Sequence, residues 1–251
     1  GNSSNYYLVG STSNTGTGMV FNSNTFLEGS AGIYLNNGAA DDGELKITNN
    51  TTIGQYYGLY VNSIDSVEIS GNTVAGDHSG IGIYVHSCRP AIVTGNKVTE
   101  NTENAIGTGI HIYDCDGNSS GERTLIANNM VKAYGKAINL QSTNYADIYY
   151  NTLINTYPNA STSYGTLYIN QPSEMNVKNN IITNTSGGRL VYQWNGGSSL
   201  NFDYNMYYGG SDSHAFYSYN PTINSNFTSV SEEETTWQSA GFDTNGVLQD
   251  P

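Results

Sequence analysis

Val67-Glu68-Ile69-Ser70-Gly71-Asn72-Thr73-Val74 decides the fold of this 251-residue chain, because the phrase recurs along it. Its relatives occupy residues 19–26, 45–52, 91–98, 124–131, 146–153, 175–182 and 200–207. The sixth position is Asn in all eight copies: Asn24, Asn50, Asn72, Asn96, Asn129, Asn151, Asn180 and Asn205. Successive Asn residues are 26, 22, 24, 33, 22, 29 and 25 positions apart, so fixed units are separated by insertions of variable length. A period of this size marks a stacked repeat architecture.

Between the Asn phrases lies a second one: Gly32-Ile33-Tyr34-Leu35, Gly58-Leu59-Tyr60-Val61, Gly82-Ile83-Tyr84-Val85 and Gly109-Ile110-His111-Ile112, with looser copies at 137–140, 166–169, 189–192 and 215–218. Both phrases alternate with period two, the strand signal, and no stretch sustains a period of 3.6. Each repeat therefore holds short strands that cannot bury an apolar face alone. Stacked about 4.8 Å apart, the repeats place Ile, Val and Leu in interior columns and the Asn residues in a buried, amide-bonded ladder. Those eight copies predict an all-β solenoid of about eight coils. Residues 1–220 are expected to form it and 221–251 to pack on its end. No N-terminal cap is legible, so the chain reads as a piece of a longer protein.

On these two phrases the sequence resembles, over roughly residues 5–220, the right-handed parallel β-helix proteins of the pectate-lyase-like superfamily. The resemblance implies a secreted bacterial protein, extracellular or at the cell surface. It leaves function open, because the same solenoid carries lyases, hydrolases, epimerases and adhesins.

Composition narrows the partners. The net charge is −13, with only eight Lys and Arg, which excludes the phosphate neutralisation that nucleic-acid binding needs. No apolar run approaches the ~20 residues of a membrane span. If Ile and Val of the second phrase point inward, its outward column reads Tyr34, Tyr60, Tyr84, His111, Asn139, Tyr168, Val191, Tyr217. The next reads Asn36, Asn62, His86, Tyr113, Gln141, Asn170, Gln193, Tyr219. Rings for sugar C–H surfaces beside amides for hydroxyls suit a polysaccharide or oligosaccharide. Tyr34, Tyr60, Tyr168, Asn62, Gln141 and Asn170 are the expected glycan contacts of a monomeric protein.

Three of the four His and five of the eight Lys and Arg fall within residues 77–136. A lyase or epimerase acting on a uronate needs a base, an acid and a cation. His111 and His86 could supply the first, Tyr84 and Tyr113 the second, and Arg89 the third. The leading reading is a polysaccharide-acting lyase, epimerase or hydrolase, and a non-catalytic glycan-binding or adhesion module is the alternative. Asp114, Asp116, Asn118 and Glu122 resemble the opening of a calcium loop, although glycine falls at its fourth position. No organic cofactor is expected. Cys88 and Cys115 share one register, as a disulfide or as two stacked interior thiols.

Overall fold

The computed structural model of the chain describes residues 6–12, 18–37, 43–76, 79–100, 106–117, 121–158, 164–194, 199–209, 216–218, 225–227, 238 and 241–249. They form a right-handed parallel β-helix with three sheets. The first sheet has ten strands, the second eight and the third nine. All pairings between named strands are parallel except that of Phe216–Ser218 with Ser225–Phe227. Among the described residues no helix is long and apolar enough to cross a membrane.

One coil shows how sequence makes the turn. Val67–Ser70 runs in the second sheet, Thr73–Gly76 in the third and Ile81–His86 in the first. Between the first two strands the chain turns through Gly71 at φ 67°, and Asn72 follows. The equivalent corner residues, Ser23, Asn49, Gly95, Asn128, Tyr150, Asn179 and Tyr204, all have φ between 56° and 65°. Gly and Asn tolerate that left-handed conformation; a tyrosine does so at a cost of about 1–2 kcal/mol. Tyr150 and Tyr204 hold it with their rings turned out to solvent.

The Asn that follows each corner is the expected ladder. Asn72 donates its backbone N–H (2.9 Å) and its side-chain amide (3.0 Å) to Asn96 Oδ1, and the same amide reaches Ile47 O at 2.8 Å. This pattern repeats from Asn50 to Asn205, and these side chains are buried. Asn24, at the first coil, is exposed. At the other end Asp243 accepts from the Asn205 backbone (3.2 Å) and amide (2.8 Å), and from the Tyr207 hydroxyl at 2.7 Å. A carboxylate thus receives the last donors of an amide ladder, and beside it Val247–Gln249 pairs with Met206–Gly209.

Inside, columns such as Ile33, Leu59, Ile83, Ile110, Ile138, Leu167 and Val191 are fully buried. Each such side chain contributes about 1.5–3 kcal/mol of transfer free energy. Ile64, Cys88 and Cys115 belong to the same interior. The Gly of the second phrase has a steric cause. A Cβ on Gly82 would lie 2.5 Å from Val98 Cγ1 and 2.8 Å from Gly109 O, because the third sheet closes against the first there.

Three expectations need correction. In the seventh coil the register is displaced by one residue. Val191 pairs with Leu167 and is interior, so Tyr192 and Trp194, not Val191 and Gln193, continue the outward columns. Leu190 and Val191 are both fully buried, and Gln193 fills an apolar column with no exposure. At the other end Tyr7, not included in the column, extends it. Gly10 stands opposite Tyr34 and leaves room for the Tyr7 ring to lie over it. Finally, the insertion expected in the 33-residue gap between Asn96 and Asn129 does not open at Glu100, which belongs to the strand Lys97–Glu100 and is buried.

Candidate functional site

The outer surface of the first sheet carries every expected catalytic and glycan-binding side chain except Arg89, which lies in the turn beside it. The register brings Tyr84 opposite His111 and His86 opposite Tyr113, so the two imidazoles are diagonal neighbours on adjacent coils. Tyr84 and His111 ring centroids are 4.9 Å apart and those of His86 and Tyr113 4.7 Å, tilted by 54° and 41°.

Away from this centre the rings are parallel. Tyr7 and Tyr34 stack at 4.1 Å and 8°, Tyr34 and Tyr60 at 4.3 Å and 11°. Beyond the centre Tyr168 and Tyr192 stack at 5.3 Å and 3°, Tyr192 and Tyr217 at 4.7 Å and 14°. This geometry changes what the tyrosines can offer. Both faces of Tyr34 and of Tyr192 are covered by their neighbours, so these rings present edges and hydroxyls outward. Tyr168 is covered on one side by Tyr192 and on the other by the Lys136 amine, 3.6 Å from its ring centroid. Rings of these ladders that are covered on both sides have no face left for a sugar.

The amide column is partly self-engaged. Asn62 donates to Asn36 Oδ1 at 2.7 Å, and Gln141 to Asn139 Oδ1 at 3.2 Å. Asn170 Oδ1 is buried without a hydrogen-bond partner.

Protonation follows from burial. Burial, then the neighbouring Tyr57, pushes the Tyr84 phenol up to about 12. Burial and then Tyr217 do the same for Tyr192, also to about 12. Tyr60 is raised by burial and by Tyr34. All three stay protonated at neutral pH. His111 is pushed down to about 3, first by burial and then by Lys136 and His86, and its Nε2 is buried with no partner. Burial also lowers His86, against the opposing pull of Asp114. Lys136 is lowered to about 8 by burial. The histidine expected to be a base is therefore a neutral, weakly basic ring. Lys136, to which the sequence assigned no role, is a cation on this face held below its ordinary value.

Two carboxylates of the expected calcium loop are engaged by protein donors. Asp114 takes Ser87 Oγ at 3.1 Å and Arg89 Nη2 at 3.3 Å, and Asp116 takes the Asn144 backbone N–H at 2.7 Å. Asn118 lies outside the described residues. Among the described residues no group of three or more His, Cys, Asp or Glu could hold a metal ion. Cys88 and Cys115 are buried free thiols, with the Cys88 backbone N–H 3.4 Å from Cys115 Sγ. Burial and the neighbouring Cys88 thiol push the Cys115 thiol well above its ordinary value. The sulfurs point into the core, whereas His86 and His111 stand on the outside of the sheet.

Comparison with known proteins gives one match. No curated protein and no solved structure matches the chain. A family model described as periplasmic copper-binding protein (NosD) matches residues 1–210. That span includes all eight Asn phrases and nearly the whole solenoid, and the chain belongs to the NosD family.

Proposed function

We propose that this chain is a glycan-binding solenoid that works outside the cytoplasm. The periplasm, named in the family description, is its compartment. One observation carries the reading. A single face of the helix stacks Tyr7, Tyr34, Tyr60, Tyr84, Tyr168, Tyr192 and Tyr217 in register, with Trp194 and a row of amides beside them. An extended polysaccharide lying along the axis would meet phenol hydroxyls at the coil spacing of about 4.8 Å. Protonated phenols both donate to and accept from sugar hydroxyls. Binding would therefore run through ring edges and hydroxyls, with amides such as Asn62, Gln141 and Asn170 at the side.

Turnover is the weaker reading. General base catalysis works best when the base has a pKa near the working pH, and His111 is held far below it. His86 is shifted the same way. Arg89 is already paired with Asp114. Copper, which the family description names, does not fit the described residues. The soft sulfurs of Cys88 and Cys115 are sealed in the core on the opposite side of the sheet from the imidazoles, and no three-donor cluster forms. His78 and His214 lie outside the described residues.

The deciding experiment removes hydroxyls and keeps rings. Tyr34→Phe combined with Tyr60→Phe and Tyr192→Phe leaves the ladders stacked. It should weaken retention on a panel of immobilised polysaccharides without lowering the melting temperature. Unchanged retention in the triple variant, or no retention of the native chain by any glycan, would remove the reading. Release of unsaturated or reducing ends by the native chain would restore the lyase or hydrolase alternative.

A further inference from the structure

The aromatic column is interrupted for one rung. Between His111 and Tyr168 stands Asn139, which carries no ring. Lys136, three residues earlier on the same strand, fills the gap. Its amine lies 3.6 Å from the Tyr168 ring centroid and 5.6 Å from that of Tyr164. It is close enough to His111 to depress that ring's proton affinity.

No carboxylate pairs with this amine among the described residues. The described ion pairs are Lys46 with Glu44, Arg89 with Asp114 and Arg123 with Asp147. A chain of net charge −13 thus leaves a half-buried cation without a counter-ion on its most aromatic face. Burying a charge is costly unless it is paired, and a π face compensates only in part. Two further polar atoms nearby share the deficit: His111 Nε2, one coil before, and Asn170 Oδ1, one coil after, are buried without partners. A cation, an imidazole nitrogen and an amide oxygen left open within three successive coils make a place for a ligand that brings negative charge and hydrogen-bonding hydroxyls.

We propose that Lys136, flanked by His111 and Asn170, forms a subsite for one anionic sugar unit of the bound glycan, its carboxylate or sulfate paired with the Lys136 amine. The inference rests on the face being glycan-binding and adds the charge of the ligand. The neutral ladders on either side would hold the rest of the chain, and the anion would fix its register along the axis.

Affinity electrophoresis of the whole chain tests this, with polygalacturonate, its methyl-esterified form, dextran sulfate and dextran cast in the gel. Polygalacturonate or dextran sulfate should retard the native protein more than its neutral counterpart. Retardation by only one of them names carboxylate or sulfate as the group. Lys136→Gln should weaken anionic binding about tenfold, the scale of one charge-assisted hydrogen bond, and leave neutral binding unchanged. Lys136→Arg should retain the preference. If Lys136→Gln does not fold, salt decides: the native protein's anionic affinity should fall as salt rises. Equal binding of charged and neutral glycans, no change in a folded Lys136→Gln, or salt-independent binding each overturns the subsite while leaving glycan binding standing. Absence of retardation in all four gels overturns the subsite and the underlying reading together.

Discussion

The Asn corner and the middle of the aromatic face are both polar strips running along the same solenoid, and they are built to opposite ends. At the corner every ladder Asn from Asn50 to Asn205 gives its backbone N–H and one side-chain hydrogen to the next rung, and back-bonds such as Asn72 to Ile47 O occupy the second side-chain hydrogen. The last rung meets a carboxylate that accepts what is left over. On the face, His111 Nε2 and Asn170 Oδ1 have no partner among the described residues, and the Lys136 amine has only the Tyr168 and Tyr164 rings. A buried polar group that is satisfied stabilises the fold; one left open costs stability and keeps its bonding capacity for something else. The first strip reads as structure and the second as site.

The largest effect should come from breaking the corner. Asn96→Ala leaves the Asn72 backbone N–H and amide without their acceptor and removes the side-chain donor to Asn129 Oδ1, which keeps only the backbone N–H of residue 96. Each buried group left unmade costs about 1–3 kcal/mol, and a chain of this size loses about 2–4 °C per kcal/mol. Thermal melting followed by circular dichroism should fall by several degrees. Asn24→Ala, at the exposed end of the same ladder, should change little. Equal shifts in the two variants would mean that the ladder does not draw its strength from burial.

A smaller effect of opposite sign should follow at the face. His111→Phe replaces an unsatisfied ring by an apolar one that can stack on Tyr84, and should raise the melting temperature by a few degrees, on the scale of about 0.5–2 kcal/mol. A lower melting temperature would show that the imidazole serves the fold, and the contrast between the two strips would fail.

The two strips also differed in how much the sequence disclosed. The corner was legible because one residue type recurs at one register, and backbone geometry demands a small amide there in every coil. Outward columns were legible where Gly-Ile-Tyr-Val is intact. They failed at Leu190-Val191-Tyr192-Gln193, where two adjacent apolar residues break the alternation and a glutamine fills an interior place. Ring orientation had no sequence signal: stacked tyrosines cover each other's faces only because the coils lie so close. Lys136 was missed because it sits outside the four-residue phrase, at the register of Ile81 and Thr108. A lone cation in that column, in so acidic a chain, was the clue. His111 was legible as a face residue, but its weak basicity came from packing. The calcium loop looked plausible by spacing alone, and two of its carboxylates, Asp114 and Asp116, proved to be engaged by Ser87, Arg89 and Asn144.

The third effect is the smallest and sharpens where the corner ends. Asp243 is buried at the last rung, and burial raises its pKa above the ordinary carboxylate value, against the lowering by Tyr207 and Asn205. A raised carboxylate favours the protonated form in the folded chain. Its contribution is therefore fully present below the unfolded pKa of about 3.9 and is lost as pH rises through the folded one. Asp243→Asn cannot titrate. The difference in stability between native chain and variant, measured by denaturant midpoint at stepped pH, should shift toward the variant as pH climbs from the unfolded value through the raised one. It should be flat once the pH is above the raised value. An amide at this position still offers Asn205 an oxygen, so the variant should fold and Val247–Gln249 should keep its pairing with Met206–Gly209. A difference that shifts toward the native chain over that window would mean that the three donors outweigh burial, and that the ladder ends in an ionised cap held below its ordinary pKa.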